Sequence, residues 1–161
     1  MGVYTTAEEA TYRVPAHRMF KALVTERQIV APKVMPSFFN SMEIVHGDGG
    51  VGTVKKANFA QGSGLPFKCM SLRIDALDTE KYYVRSTLFE GEYIGDTLEK
   101  IVHEIKMEPL ENGCKSTVRS NYHLKPGAVF NEAVAEATKM HSQVLNKAIE
   151  EYLLSHPDVC A

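Results

Sequence analysis

Apolar and polar positions along this chain follow two periods. From Phe38 onward the period is two. It marks strands at Phe38–His46, Thr53–Ala60, Phe67–Asp75, Tyr82–Leu88, Leu98–Glu108 and Ser116–Leu124. Turn chemistry separates them: Gly47-Asp48-Gly49-Gly50-Val51-Gly52, Gln61-Gly62-Ser63-Gly64-Leu65-Pro66, Asp78-Thr79, Glu90-Gly91 and Glu111-Asn112-Gly113. Connections this short make neighbouring strands antiparallel, as a meander. Ahead of them, Val3–Val14 is rich in Thr, Tyr and Val and reads as a first strand, which Pro15 ends. Ala16–Val24 then carries Met19, Phe20, Leu23 and Val24 at helical spacing. A second short helix, Glu26–Val34, contains Pro32 and stops before Pro36.

The longest helical pattern is the last, Asn131–Leu154, bracketed by Pro126-Gly127 and Pro157, with Asn131 as its expected N-cap. At about 100° per residue, Val134, Ala137, Thr138, His141, Val144, Leu145, Ala148, Ile149 and Tyr152 fall on one arc. Glu132, Glu136, Lys139, Gln143, Asn146, Lys147 and Glu150 fall opposite. The apolar arc is rich in small residues, and His141 sits near its centre. In the sixth strand Ile101, His103, Ile105 and Met107 share one face. In the seventh Val118, Ser120, Tyr122 and Leu124 do, while charged residues take the other faces. These patterns predict an α+β architecture: a strongly curved antiparallel sheet, a long helix across its concave face, and two short helices at one end. A straight helix with small residues does not fill a curved sheet, so a cavity is expected between them.

Composition narrows the function. One domain spanning all 161 residues is expected, with hydrophobic content of 44% and charged content of 24%. A formal net charge of −2 argues against a nucleic-acid partner. The three cysteines, Cys69, Cys114 and Cys160, match neither a zinc spacing nor a disulfide framework, which favours a reducing compartment. No apolar run is long enough for a membrane span, so the expected location is cytoplasmic, without a membrane partner. No motif calls for a metal or a cofactor, and nothing suggests an obligate interface, so a monomer is expected. The loop of Gly47, Asp48, Gly49, Gly50 and Gly52, followed by Lys55, has the look of a phosphate cradle. It lacks the Gly-Lys-Ser/Thr ending, however, and joins two strands where phosphate loops open onto a helix. It reads as a tight hairpin at the cavity rim.

Several segments together resemble one family. They are Met1-Gly2-Val3, the stretch from Gly47 to Lys56, Phe89-Glu90-Gly91, Gly95-Asp96-Thr97-Leu98-Glu99-Lys100-Ile101 and Glu150-Glu151-Tyr152-Leu153-Leu154. In order and across essentially the whole chain they are similar to the plant pathogenesis-related class 10 proteins, the birch-pollen-allergen-like family. The resemblance implies the helix-grip fold, a seven-stranded antiparallel sheet wrapped round the long helix, and a large cavity. That cavity would bind hydrophobic or amphiphilic plant metabolites such as flavonoids, cytokinins and other phytohormones, or alkaloid-like compounds. Members are typically cytosolic, induced by stress or pathogens, and often allergenic. Carried onto this sequence, the pocket positions are Leu23 and Val24 from the first short helix and Phe59, Phe67 and Cys69 from the third and fourth strands. Val84, Ser86 and Leu88 come from the fifth strand, Ile101, His103 and Ile105 from the sixth, and Ser120 and Tyr122 from the seventh. Val134, Ala137, Thr138, His141 and Leu145 come from the long helix. Cys69, Val84 and Ser86 stand where birch-like members often carry tyrosine, which implies a wider cavity.

The family also suggests other functions. A ribonuclease reading would use Lys55, Glu99, Glu150 and Tyr152, but at helical spacing Glu150 and Tyr152 lie on nearly opposite faces. A norcoclaurine-synthase-like reading needs a lysine in the seventh strand, where Thr117 or a neighbour stands. His103 and His141 in one cavity offer an acid/base alternative. Ser63-Gly64-Leu65-Pro66 resembles the gate of abscisic-acid receptors, but the matching latch position holds Glu92-Tyr93-Ile94-Gly95.

Overall fold

The computed structural model describes residues 2–65, 67–91 and 94–161. Strand β1 (Val3–Tyr12) leads into α1 (Ala16–Phe20), which widens into a π-helical turn (Lys21–Thr25) before α2 (Arg27–Val34). Then come β2 (Phe39–His46), β3 (Val54–Phe59), β4 (Cys69–Asp78), β5 (Tyr83–Gly91), β6 (Leu98–Leu110), β7 (Gly113–Leu124) and α3 (Glu132–Ser155). Every element expected from the pattern is present, with ends moved by a few residues. The π turn is the local departure. Its wider winding buries Ala22, Leu23 and Val24 together, closed by Glu26 N–H donating to Lys21 O at 2.7 Å.

The strands form one sheet in the order β1-β7-β6-β5-β4-β3-β2, and each neighbouring pair is antiparallel. Short turns dictate the run from β2 to β7. The first strand instead crosses to the far edge and pairs with β7, from Val3 opposite His123 to Tyr12 opposite Cys114. Register shifts interrupt the β2–β3, β4–β5 and β6–β7 ladders. Such bulges bend and twist strands, which makes the sheet concave. Gly113 lets β7 start against β1, because a Cβ there would collide with the Tyr12 carbonyl.

Helix α3 starts as expected, with Asn131 Oδ1 accepting the N–H of Val134 at 3.2 Å. Its two halves differ. The C-terminal half buries Leu145, Ile149 and Leu153 completely, in a core shared with Val14, Met19, Phe20, Ala22, Ala31, Met107 and Cys114. A smaller cluster, Leu88, Leu98, Ile101 and Tyr122, closes the opposite end with Leu124, Phe130 and Ala135 packed against it. The N-terminal half of α3 packs less tightly.

The buried arc of α3 is turned relative to the one expected from hydrophobicity. Val144 lies 53% exposed, while Glu150, expected in solvent, is 1% exposed. The reason is pairing: Glu150 Oε2 accepts the backbone N–H of Arg13, and Lys147 Nζ lies 2.8 Å from Oε1. Burial alone would raise this carboxyl. The Lys147 ammonium and the Arg13 N–H outweigh it and hold the group below the usual carboxylate range.

Candidate functional site

Between sheet and helix lies a cavity of about 440 Å³. Its apolar wall follows from strand alternation. Ile105, Val118, Val84 and Leu88 point inward from β5, β6 and β7, and Met70, Leu72 and Ile74 do so from β4. Phe39, Met42, Ala57, Phe59, Leu65 and Phe67 close one side, and Leu23 and Val24 of the π turn close the end. The roof is the N-terminal half of α3, through Ala135, Thr138, His141, Ser142 and Asn146. Tyr4, Thr6 and Glu8 of β1 meet Glu132, Glu136 and Lys139 of α3 along one margin.

Five polar groups stand out against this wall. His103 Nδ1 lies 2.7 Å from Ser120 Oγ on the neighbouring strand, where the register sets the two residues opposite one another. His141 stacks on Phe38 with ring centroids 3.9 Å apart and meets Phe39 and Phe59 edge-on. Its Nε2 is buried and has no hydrogen-bond partner among the described residues. Burial pushes both imidazoles down to about 4, and the nearby Arg27 guanidinium adds to the effect. Both are therefore neutral at pH 7. Lys55 is 4% exposed and donates to Val24 O at 2.7 Å. Burial, with Arg27 beside it, lowers the Lys55 ammonium to about 8. Burial also lowers Arg27, to about 10, which leaves it charged.

Of the residues singled out from sequence, the cavity gathers Leu23, Val24, Phe59, Phe67, Val84, Ser86 and Leu88. From the later strands and the helix it adds His103, Ile105, Ser120, Tyr122, Thr138 and His141. Five others lie outside its lining. Leu145 is fully buried in the core below the roof, and Ile101 belongs to the end cluster. Val134 and Ala137 are displaced by the rotation of α3, which brings Ala135, Ser142 and Asn146 inward instead. Cys69 opens β4, with its neighbour Met70 on the wall. The Gly47, Asp48, Gly49, Gly50 and Gly52 turn also stays off the lining and joins β2 to β3, while Lys55 two residues into β3 reaches the cavity. Within the turn, Gly49 N–H donates to Thr53 Oγ1, and a Cβ on Gly47 would press on the Thr53 backbone. Alternation already marks Val118 as inward, and the same rule would have found Leu72 and Ile74. Arg27 carries no such signal, because a charged residue opening a short helix reads as solvent-facing.

The ribonuclease residues do not converge. Lys55 lines the cavity, whereas Glu150 is committed to Arg13 and Lys147, Tyr152 stacks on His156, and Glu99 is exposed. The cavity-facing residues of β7 are Val118, Ser120 and Tyr122, with no lysine among them. In the gate segment Ser63 Oγ accepts Leu65 N–H, and Leu65 reaches the wall. Pro66 of that segment, and Glu92 and Tyr93 of the latch position, lie outside the described residues. Among the described residues no helix is long and apolar enough to cross a membrane, and no group of three His, Cys, Asp or Glu is placed to hold a metal. Cys69, Cys114 and Cys160 are free thiols.

A seven-stranded antiparallel sheet gripping a long C-terminal helix over an internal cavity defines the helix-grip class of fold. Within that class, residues 1–156 match the model of the pathogenesis-related protein Bet v 1 family, and the chain belongs to this family. It is 41% identical over 161 residues to major allergen Pru av 1 of Prunus avium, covering 98% of each chain. The crystal structure of Ara h 8.0201 superposes with a TM-score of 0.82 at 37% identity, over 96% of this chain and all of that one. Norcoclaurine synthase from Thalictrum flavum, solved with dopamine and hydroxybenzaldehyde, shares the fold at a TM-score of 0.70. It is 21% identical, over 96% of this chain and 88% of the other.

Proposed function

We propose that this protein binds amphiphilic small molecules in the cavity, as a carrier or store of plant metabolites in a reducing compartment such as the cytosol. The observation that carries the reading is the cavity wall itself: largely apolar, roofed by small side chains, with a few polar groups at fixed places. Burying apolar surface contributes about 25 cal/mol per Å² before ordering costs. Micromolar affinity needs about 8 kcal/mol net. Apolar surface buried on the wall and on the ligand together drives binding, while Ser120, Tyr122 and the unpartnered Nε2 of His141 orient the ligand. Free thiols fit a reducing compartment.

An acid/base enzyme using His103 and His141 has less support. Catalytic imidazoles work best with a pKa near the working pH, and both here are driven to about 4. The test is displacement of a hydrophobic fluorophore from the purified protein by a broad panel of flavonoids, cytokinins and alkaloids. Saturable, one-to-one displacement at micromolar concentration is expected. A panel in which no compound displaces the probe would overturn the proposal.

A further inference from the structure

The charges around the cavity are unevenly distributed. Its acids, Glu8, Glu132 and Glu136, belong to β1 and the first turns of α3, and they have company there. Lys139 and Gln143 interact with Glu8, and Tyr4 donates to Glu132. The opposite corner holds two cations, Arg27 at the start of α2 and Lys55 on β3. Among the described residues neither makes an ion pair. The polar contacts of Lys55 Nζ and Arg27 Nη1 are with backbone carbonyls, those of Val24 and Leu23. Arg27 acts on Lys55, His103 and His141, and the Tyr12 phenol acts on Arg27 from β1.

Two like charges side by side, Lys55 buried and Arg27 half-buried, with no carboxylate among the described residues paired to either, are costly to hold. The backbone carbonyls relieve part of that cost but do not neutralise it. The guanidinium offers a planar fork that matches two oxygens of an anion, and the ammonium adds a point charge beside it. The rest of the cavity accepts an apolar body.

We propose that this corner is an anion subsite, and that the preferred ligands are apolar molecules carrying one carboxylate, sulfonate or ionised phenol, seated against Arg27 and Lys55. The proposal rests on the cavity being a binding site, and it narrows the ligand class from amphiphiles in general to organic anions.

A matched probe pair tests it. Anilinonaphthalene sulfonate and phenylnaphthylamine share one ring system and differ by the sulfonate, and the neutral probe is the more hydrophobic. Competition between them establishes that they share the cavity. The wild-type protein is expected to bind the sulfonate at least about tenfold more tightly. Arg27→Gln should remove most of that preference while leaving phenylnaphthylamine affinity within about twofold, and Arg27→Lys should restore part of it. Equal affinity for the two probes on the wild-type protein overturns the anion subsite, a result that needs no variant to fold. Equal weakening of both probes by Arg27→Gln overturns it as well. If neither probe binds, the cavity reading fails too, so the two failures are distinguishable.

Discussion

His141 illustrates how a single side chain can be both stabilised and stressed. Its ring stacks on Phe38 and is edged by Phe39 and Phe59, yet its Nε2 has no partner among the described residues. Burial and Arg27 hold it near 4, below its ordinary 6.5. The unfolded chain therefore takes up a proton between those values that the folded protein refuses, and stability falls as pH drops through that window. His103 behaves alike. Replacing His141 with Phe keeps the aromatic contacts and removes the titration. Urea unfolding between pH 6.5 and pH 4 should then show a shallower fall in stability than in the unsubstituted protein. An unchanged slope would mean that His141 protonates freely in the folded state. Sequence alone places both histidines on inward faces by periodicity. It does not show the depressed basicity, which depends on burial between sheet and helix and, secondarily, on Arg27 arriving from another element. Nor does it show Glu150 buried, since that depends on the Arg13 N–H meeting it across 137 positions of sequence.

At the scale of an element, α3 is two helices in one. Thr138, His141 and Ser142 face open volume, and Leu145, Ile149 and Leu153 face solid core. Truncating a side chain should therefore have different consequences along its length. Leu145→Ala, at 0% exposure, is expected to cost about 2–5 kcal/mol in chemical denaturation. Thr138→Ala, which truncates a side chain facing open volume and removes a hydroxyl bonded to Val134 O, should stay within about 1 kcal/mol. If both substitutions cost the same, the roof is as tightly packed as the base. The helix, its cap and its length were all legible in the sequence. Its rotation was not, because hydrophobic periodicity counts Val144 as buried and Glu150 as exposed. A roof over a cavity does not require the most apolar face, and a paired carboxylate does not require water.

Over the whole molecule, the alternation and turn residues specify the meander, and the bulges curve it. The return of β1 to β7 has no local cause, and only the structure shows it. Cavity volume was equally hidden, since it depends on how far α3 stands from the sheet, which no pattern of residues along one element records. A formal charge of −2 also concealed the two cations that share one corner of the interior.

The division of α3 has a kinetic consequence. The cavity margin along β1 and the first turns of α3 is lined by exposed side chains, and a bulky guest passes where the wall yields; the segment with fewest buried apolar contacts opens at the lowest free-energy cost. Here that segment is the first half of α3, hinged on the firmly anchored second half. Stopped-flow uptake of a fluorescent ligand should therefore rise with concentration and then level off at the opening rate of the roof. Amide hydrogen exchange at positions 134–142 should slow when the cavity is filled, while positions 145–153 change little. A rate that climbs linearly without a plateau, or protection spread evenly along the helix, would place the entrance elsewhere. On this view the small residues of α3 set how long a guest stays as well as how much room it has.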